Sequence, residues 1–483
     1  MEEKCQLIKI FDDNTEYCMN TGYALPNIPV IGESMAVGSI SSRDFYYTSI
    51  VTDVTLLGNG CIRFKTLNST YELRPLGYRK DMENDLLYLE YYGACADCKV
   101  FNTDVEEEAI SQVYKILNCE AFEGSKIRIM CDIHAGEGAV IGFTATRTSK
   151  VIANIVGVDI GCGIKSIKLG TCNFDRESLD NFIRVHIPSG TSVRARPYKK
   201  MEWIYNQFVK TNIKYDDFIS KISEICKITN QEEGRVLSSV GTLGGGNHFI
   251  EVDFDGTNYW LTLHSGSRKF GLDIAKYHQK VAVSKMGKKD KLEWLEGNDA
   301  ELYLGHMKIA QIYAKLNRYS MSYQIVEDFF KLQLKNLEVI ESVHNYINFE
   351  DNIIRKGAIS AHKGEKVVIP WNMKDGLVVG EGKGNEDWNC SAPHGAGRKM
   401  SRSAAKKNLD LTKFENEMKD AGIWSSCVSQ DTLDECADAY KDPEEIKKLL
   451  SPTVEVKLTL KPVYNFKASE KGDKKWQKKS QKE

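Results

Sequence analysis

Five short apolar runs in this chain each meet a loop rich in glycine, serine or asparagine that also carries a histidine or a cysteine. They are "VGVDIGCGI" around Cys162, "GTLGGGNHFIE" around His248, "LTLHSGSR" around His264, "SVHNYI" around His344 and "NCSAPHGAGRK" around His394; "CDIHAGEG" adds His134 in the same format. Side chains on such loops act together only if the ends of several strands converge, so the pattern demands a fold in which they do. The chain holds only nine histidines, which makes this placement informative.

Taken singly, a histidine is more often a satisfied structural residue than a ligand; several in matching contexts argue against that reading. Carboxylate, thiolate and imidazole together suit zinc, manganese, iron or cobalt. Asp159 and Cys162 are three residues apart in one turn, flanked by Gly161 and Gly163, and can face a single metal centre. His394 precedes Gly395-Ala396-Gly397, with Arg398 and Arg402 one helical turn apart after it. From the residues alone it can be a metal ligand, a general acid or base, or a nucleophile. A metal beside glycine-rich loops and arginines points to phosphate chemistry, since cations and backbone N–H groups neutralise and cradle phosphate oxygens. No Walker A string or GxGxxG is present. These residues therefore describe a metal-dependent enzyme acting on a phosphorylated substrate, and no more.

Length allows two to four domain-sized units. A formal net charge of −2 gives no global field for nucleic acid, so any such contact is local. The start "MEEKCQLIKIFDD" is not a signal segment and no apolar run would span a bilayer; the expectation is a cytoplasmic protein. Thirteen scattered cysteines are not a disulfide framework, and the lone Cys95/Cys98 pair reads as reduced thiols rather than a zinc or redox site. Residues 1–98 read as a β-rich accessory module: "DFYYTSIVTDVTLL", "NGCIRFKTL" after a Gly-Asn-Gly turn, and "STYELRPL" are successive strands. A helix follows, with Thr103 and Glu106 as a capping box and Ala109, Ile110, Val113, Ile116 and Leu117 on its buried face. "SKIRIMCDIHAGEG" predicts a strand running into a glycine-rich loop, and "KVIANIVGVDIGCGIKSIKLG" the same format. Residues 201–228 and roughly 299–347 predict helix, and "KVVIP", "GLVVG" and "VEVKLTLKPVYNF" predict strands. Without a regular βαβ rhythm, the fold class is α+β or irregular α/β. The lysine-rich end, residues 468–483, predicts a flexible tail.

The strings "VGVDIGCGI", "GGGNHFIE", "HSGSR", "HNYI" and "SAPHGAGRKMSR", in this order and at these separations, closely resemble the RtcB family of GTP-dependent RNA ligases. "KIRIMCDIHAGEGAVIG" and "IPWNMKDGLVVGEGKGNEDWN" extend the likeness, which covers about residues 100–467, the catalytic domain being 99–467. The resemblance implies an RtcB-type catalytic fold with a deep cleft holding two manganese ions. Cys162 would bridge them, with Asp159 and His248 completing one site and His264 and His344 the other. His394 would be the nucleophile that takes GMP from GTP. Asn247, Asn372, Asp375, Gly395 and Gly397 would lie along the nucleotide, Glu251 would read the guanine, and Tyr440 and Lys467 would close over the base. Arg398 and Arg402 would contact RNA phosphates. The implied reaction joins RNA ending in a 2′,3′-cyclic phosphate or 3′-phosphate to RNA with a 5′-hydroxyl, in tRNA splicing or RNA repair, with an archease-like protein as activator and no membrane partner.

The chain departs from the family in residues 1–98, in the tail, in "IPWNM", and at Cys131, where proline is usual; that cysteine puts an extra thiol near Asp132 and His134. Two other readings compete. A binuclear phosphoesterase would open cyclic phosphates without GTP, with His394 as acid or base. A non-catalytic RNA-binding relative would have no need of Asp159, Cys162, His248, His264, His344 and His394 together. DNA 3′-phosphate capping would use the same guanylylation.

Overall fold

The computed structural model describes residues 4–11, 16–24, 29, 31–38, 45–56, 62–75, 77–81, 86–157, 159–287 and 290–467. The Gly-Asn-Gly turn at residues 58–60 and the lysine-rich tail lie outside them. Two compact units are present, Met1–Gly124 and Ser125–Glu483.

The first unit carries an antiparallel sheet in the order Glu16–Ala24, Lys4–Ile10, Thr70–Pro75, Ile62–Thr66, Phe45–Leu56, Ser34–Gly38. The three quoted strands form as expected. Ile62–Thr66 alternates buried and exposed residues, and the inward set Leu7, Val51, Ile62, Phe64, Tyr71 and Leu73 makes the core. Gly77–Asp81, Leu86–Tyr92 and Asp97–Val100 follow as an antiparallel meander. The helix runs Glu107–Leu117 and buries Ala109, Ile110, Val113, Ile116 and Leu117. The capping box does not form: Glu106 is itself the residue before the first turn, no side chain caps it, and Thr103 lies too far upstream.

The second unit is mixed α/β. Its larger sheet orders Val339–Val343, Gly163–Gly170, Tyr259–Ser265, Phe249–Phe254, Val454–Lys467, Gly376–Gly382 and Lys366–Asn372, every neighbouring pair antiparallel. The Val368 N–H donates to Ser342 Oγ at 3.0 Å, so the last strand curls back against the first. Ile164, Phe249, Trp260, Ile340, Val368, Leu377, Val379 and Leu460 fill the interior of that curl. Ile127–His134, Ile141–Thr146, Ile353–Lys356 and Asn345–Ile347 form further antiparallel pairs. The helices Arg268–Met286 and Gly297–Tyr323 pack together, the second burying Tyr303, Met307, Tyr313 and Arg318. No helix among the described residues is long and apolar enough to cross a membrane.

Three expectations are corrected. "KVIANIV" is not a strand: Ala153–Val156 is one helical turn ended by Gly157 at φ 83°, and the glycine-rich loop leads into the strand Gly163–Gly170 rather than out of one. The helix of residues 201–228 is two, Met201–Phe208 and Tyr215–Thr229. The long helix ends with the π-turn Gln324–Phe329, and residues 339–347 are strands because Val339–Val343 pairs with Gly163–Ile167. Cross-strand pairing there overrides a local helical pattern.

Candidate metal and nucleotide site

The turn carrying Asp159 and Cys162 is fixed by the backbone of its neighbours. Gly161 N–H donates to the Asn345 carbonyl at 2.7 Å and His344 N–H to the Cys162 carbonyl at 2.9 Å. His248 immediately precedes the strand Phe249–Phe254, His264 is the penultimate residue of Tyr259–Ser265, and His344 stands in the break between two strands. In register, Phe249 faces His264, Ile164 faces both His264 and Ser342, and Gly163 faces Val343. Three strands thus deliver their ligands to one end of the sheet. Buried Arg318 locks that end, donating to the Gly161 and Ser265 carbonyls, each at 2.7 Å, and to Glu341. A Cβ at Gly266 would lie 2.1 Å from Asp159 Oδ1, so any larger residue there displaces the Asp159 carboxylate from its place beside His248.

Cys162 Sγ lies 3.4 Å from His248 Nε2 and 3.2 Å from His264 Nε2. His264 Nε2 is 3.3 Å from His344 Nε2, and His248 Nε2 is 2.9 Å from Asp159 Oδ2. Ligand atoms held 2.0–2.3 Å from an ion stand about 3–3.6 Å apart, and these separations fit. The tautomers point the same way. His248 Nδ1 bonds the Leu243 carbonyl at 2.9 Å and His264 Nδ1 the Asn247 carbonyl at 3.1 Å. A carbonyl only accepts, so both Nδ1 atoms carry a proton, and it is the Nε2 atoms that are turned inward, where a neutral ring can ligate a cation. Burial, reinforced by the neighbouring imidazoles, holds His264 and His344 well below the usual histidine range. Burial and then Asp159 push the Cys162 thiol up. Burial acts against the Asp159 carboxylate, but His248 beside it keeps it lowered. A buried thiol with two imidazole Nε2 atoms within 3.4 Å and a carboxylate beside one of them is a donor set that fits a metal ion. Among the described residues, Cys162, His248 and His264 are the compact group of metal-ligating atoms; Cys95 and Cys98 belong to none.

His394 follows the short strand Ser391–Pro393, and its ring centroid is 4.8 Å from that of His344. Asp132 Oδ2 accepts from both the His394 backbone N–H, at 3.1 Å, and His394 Nδ1, at 2.7 Å. Asp132 is fully buried at the end of Ile127–His134 while His394 is 19% exposed, so the carboxylate orients the ring from below. Nε2 is left with its lone pair. Gly397, at φ 75°, closes this contact; a Cβ would sit 2.4 Å from the Asp132 carbonyl oxygen. Sequence reading named Asp132 only as a neighbour of Cys131 and missed its role. The signal was a carboxylate at the end of an apolar strand, next to a histidine-bearing glycine loop.

A second group gathers on Glu435, which sequence reading also missed. Arg398 donates to Glu435 Oε1 at 2.6 Å and to Tyr440 Oη at 2.9 Å; Tyr440 donates to Glu435 Oε2 at 2.7 Å. Arg402 reaches Asp434 at 3.1 Å and Glu435 at 3.2 Å, and the Lys467 ammonium bonds Glu435 directly. The Arg398 guanidinium is therefore engaged internally, with the Asp434 carbonyl at 2.7 Å as a third acceptor. Burial opposes ionisation of Glu435, yet Lys467, Arg398 and Arg402 bring it down to about 2. Lys467 lies over the Phe249 ring at 5.8 Å, and that ring is 5.5 Å from His264, so this group adjoins the Cys162–His248–His264 cluster. Glu251 is buried beside Asn465, which donates to it. Asn247 offers its carbonyl to His264, and Gly395 packs over Pro370. Asn372 and Asp375 bond each other at 2.7 Å in the hairpin turn between Lys366–Asn372 and Gly376–Gly382.

Glu435→Gln is expected to destabilise the fold by about 3–5 kcal/mol, because it strands two buried cations. A carboxylate with a lowered folded-state value stabilises fully above its unfolded range and loses that contribution as pH falls toward about 2. Urea melts of both forms at pH 7 and pH 3 check this: the gap narrows at low pH, and equal midpoints at pH 7 would contradict it.

The model for the tRNA-splicing ligase RtcB family matches residues 112–468. The RNA-splicing ligase RtcB of Escherichia coli strain K12 is 31% identical over 369 residues, covering 70% of this chain and 88% of that protein. The tRNA-splicing ligase RtcB of Nanoarchaeum equitans is 25% identical over 396 residues, 66% of this chain and 83% of its own. The RNA-splicing ligase RtcB homolog 1 of Entamoeba histolytica is 27% identical over 394 residues, 66% of this chain and 75% of its own. The matched span takes in the convergent Cys162, His248, His264 and His344 cluster, the Asp132–His394 pair and the Glu435 network together, and by that match the chain belongs to the RtcB family.

Proposed function

We propose that the chain is a GTP-dependent RNA ligase that joins 2′,3′-cyclic phosphate or 3′-phosphate ends to 5′-hydroxyl ends, with His394 as the residue that carries GMP. The observation that carries this reading is the Asp132–His394 pair: one ring nitrogen is held by a buried carboxylate and the other is left to attack, at the rim of a metal-ligating cluster. The names of the relatives support RNA as substrate.

Asp159, Cys162, His248, His264 and His344 would hold manganese, and bound metal would neutralise charge developing on phosphate. His394 Nε2 attacks the α-phosphorus of GTP, forming the N–P bond as pyrophosphate leaves. Asp132 keeps the Nδ1 proton in place and stabilises the positive charge that the ring gains. The RNA 3′-phosphate, formed from a cyclic end by hydrolysis, takes the GMP and frees the imidazole. The 5′-hydroxyl oxygen then bonds to that phosphate, and GMP leaves. Glu251 would accept the guanine N–H groups, and Lys467 and Tyr440, now drawn to Glu435, would close over the base. Asn247, Asn372, Asp375, Gly395 and Gly397 would line the nucleotide, and Arg402, the more exposed arginine, is the better placed for RNA phosphate. Residues 1–98 would be an accessory module, 99–467 the catalytic domain and 468–483 a tail.

Incubation with α-labelled GTP and manganese should leave acid-labile, alkali-stable label on the denatured chain, and His394→Ala should abolish it. If the folded, metal-loaded wild type takes no label but opens cyclic phosphates, the ligase mechanism is wrong and a phosphoesterase takes its place.

A further inference from the structure

Glu251 and Asp253 are two residues apart on the strand Phe249–Phe254, so both side chains stand on one face of the sheet. That face also carries His264 and Lys467, each the cross-strand partner of Phe249. The two carboxyl groups are 3% and 0% exposed, and each lies close enough to act on the ionisation of the other. Their other partners hold them at the outer oxygens: Asn465 Nδ2 donates to Glu251 Oε2, and Thr262 donates to Asp253 Oδ2 at 2.8 Å. Asp253 Oδ1 is buried with no donor among the protein's fixed N–H and O–H groups. The Lys467 ammonium acts on Glu251 but is already bonded to Glu435.

Two carboxylates cannot both be ionised side by side in such a place, as neither can donate to the other and water does not reach them. One retained proton satisfies the orphaned Asp253 oxygen and removes the repulsion. Burial first, and then the neighbouring carboxyl, raise Glu251 well above the ordinary range; burial raises Asp253 as well. Guanine N1–H and N2–H are both donors, so a Glu251 that takes the two in parallel must be ionised and accept at both oxygens.

We propose that Asp253 is the proton acceptor for Glu251: the pair holds one proton, and that proton passes from the Glu251 oxygen to Asp253 Oδ1 when Glu251 takes up guanine. This rests on the reading of Glu251 as the guanine contact. The proton stays within the pair, so the charge of the buried site does not change as the base binds. Asp253 is thus a positioning residue that sets the ionisation of the specificity residue.

Infrared difference spectra of the full chain test the shared proton without nucleotide. The wild type should show one buried carboxylic-acid C=O band, and either Asp253→Asn or Glu251→Gln alone should remove it, because the remaining carboxylate then accepts from an amide. A band that survives either single variant, or is absent from the wild type, overturns the proposal. GTP affinity tests the transfer. Asp253→Leu should weaken GTP by ~10-fold or more, having no acceptor for the proton, while Asp253→Asn stays within about threefold of the wild type. Wild-type affinity in Asp253→Leu would sink the transfer. A wild type that binds no GTP would instead sink the nucleotide reading and the transfer with it, and the band would still decide whether the proton is shared.

Discussion

Asp132→Asn is expected to slow guanylylation of His394 by roughly 10³–10⁴-fold in the protein that folds. The comparable substitution behind a catalytic histidine acts on this scale by favouring the wrong tautomer. Asp132 Oδ2 now receives both the His394 N–H and Nδ1–H. An asparagine amide can place its NH₂ toward Nδ1, which moves the ring proton to Nε2 and removes the attacking lone pair. The His394 backbone N–H converges on the same oxygen and loses its acceptor when the NH₂ takes that place, which costs about 1–3 kcal/mol of stability besides. Single-turnover transfer of label from GTP measures the effect. A structural role alone would lower the melting temperature and leave the rate constant of folded protein unchanged; a fall of less than tenfold would show that the carboxylate does not set the tautomer.

Cys162→Ala is expected to lower metal affinity by more than ~100-fold, since even loss of an outer partner of a ligand costs about 10–100-fold. Cys162 Sγ sits between His248 and His264, within 3.4 Å of both, and so reaches both halves of the cluster. Removing it takes away the thiolate between His248 and His264, whose ring centroids are 5.1 Å apart, and leaves imidazoles and one carboxylate. Metal analysis after dialysis against manganese should find the stoichiometry reduced, with label transfer lost in parallel. The folded variant itself should be little harmed without metal, because the thiol is then a small buried neutral group. Wild-type stoichiometry and affinity in this variant would remove Cys162 from the ligand set. The same measurement on His344→Ala tests whether the cluster extends past His264.

The sequence by itself determined which residue types carry chemistry and that they must converge. A glycine-flanked histidine at the end of an apolar strand is legible because the glycines are needed where backbones and ligands approach closely, as Gly266 does beside Asp159. It also determined the strands at residues 366–372, 376–382 and 454–467, where β-branched runs have no competing helical period. It misjudged residues 339–347, whose aliphatic spacing also fits a helix, because only pairing with Gly163–Ile167 selects the strand. Asp132, Glu435 and Asp253 were not legible as partners: each lies far along the chain from, or on a different loop than, the group it serves, apart from the Glu251–Asp253 spacing. Nothing local distinguishes a carboxylate that orients an imidazole 262 residues away from one that faces water. Tertiary structure alone decided that Arg398 is tied to Glu435 while Arg402 remains partly exposed, because a guanidinium's partners are chosen by the loops that surround it once the chain is folded.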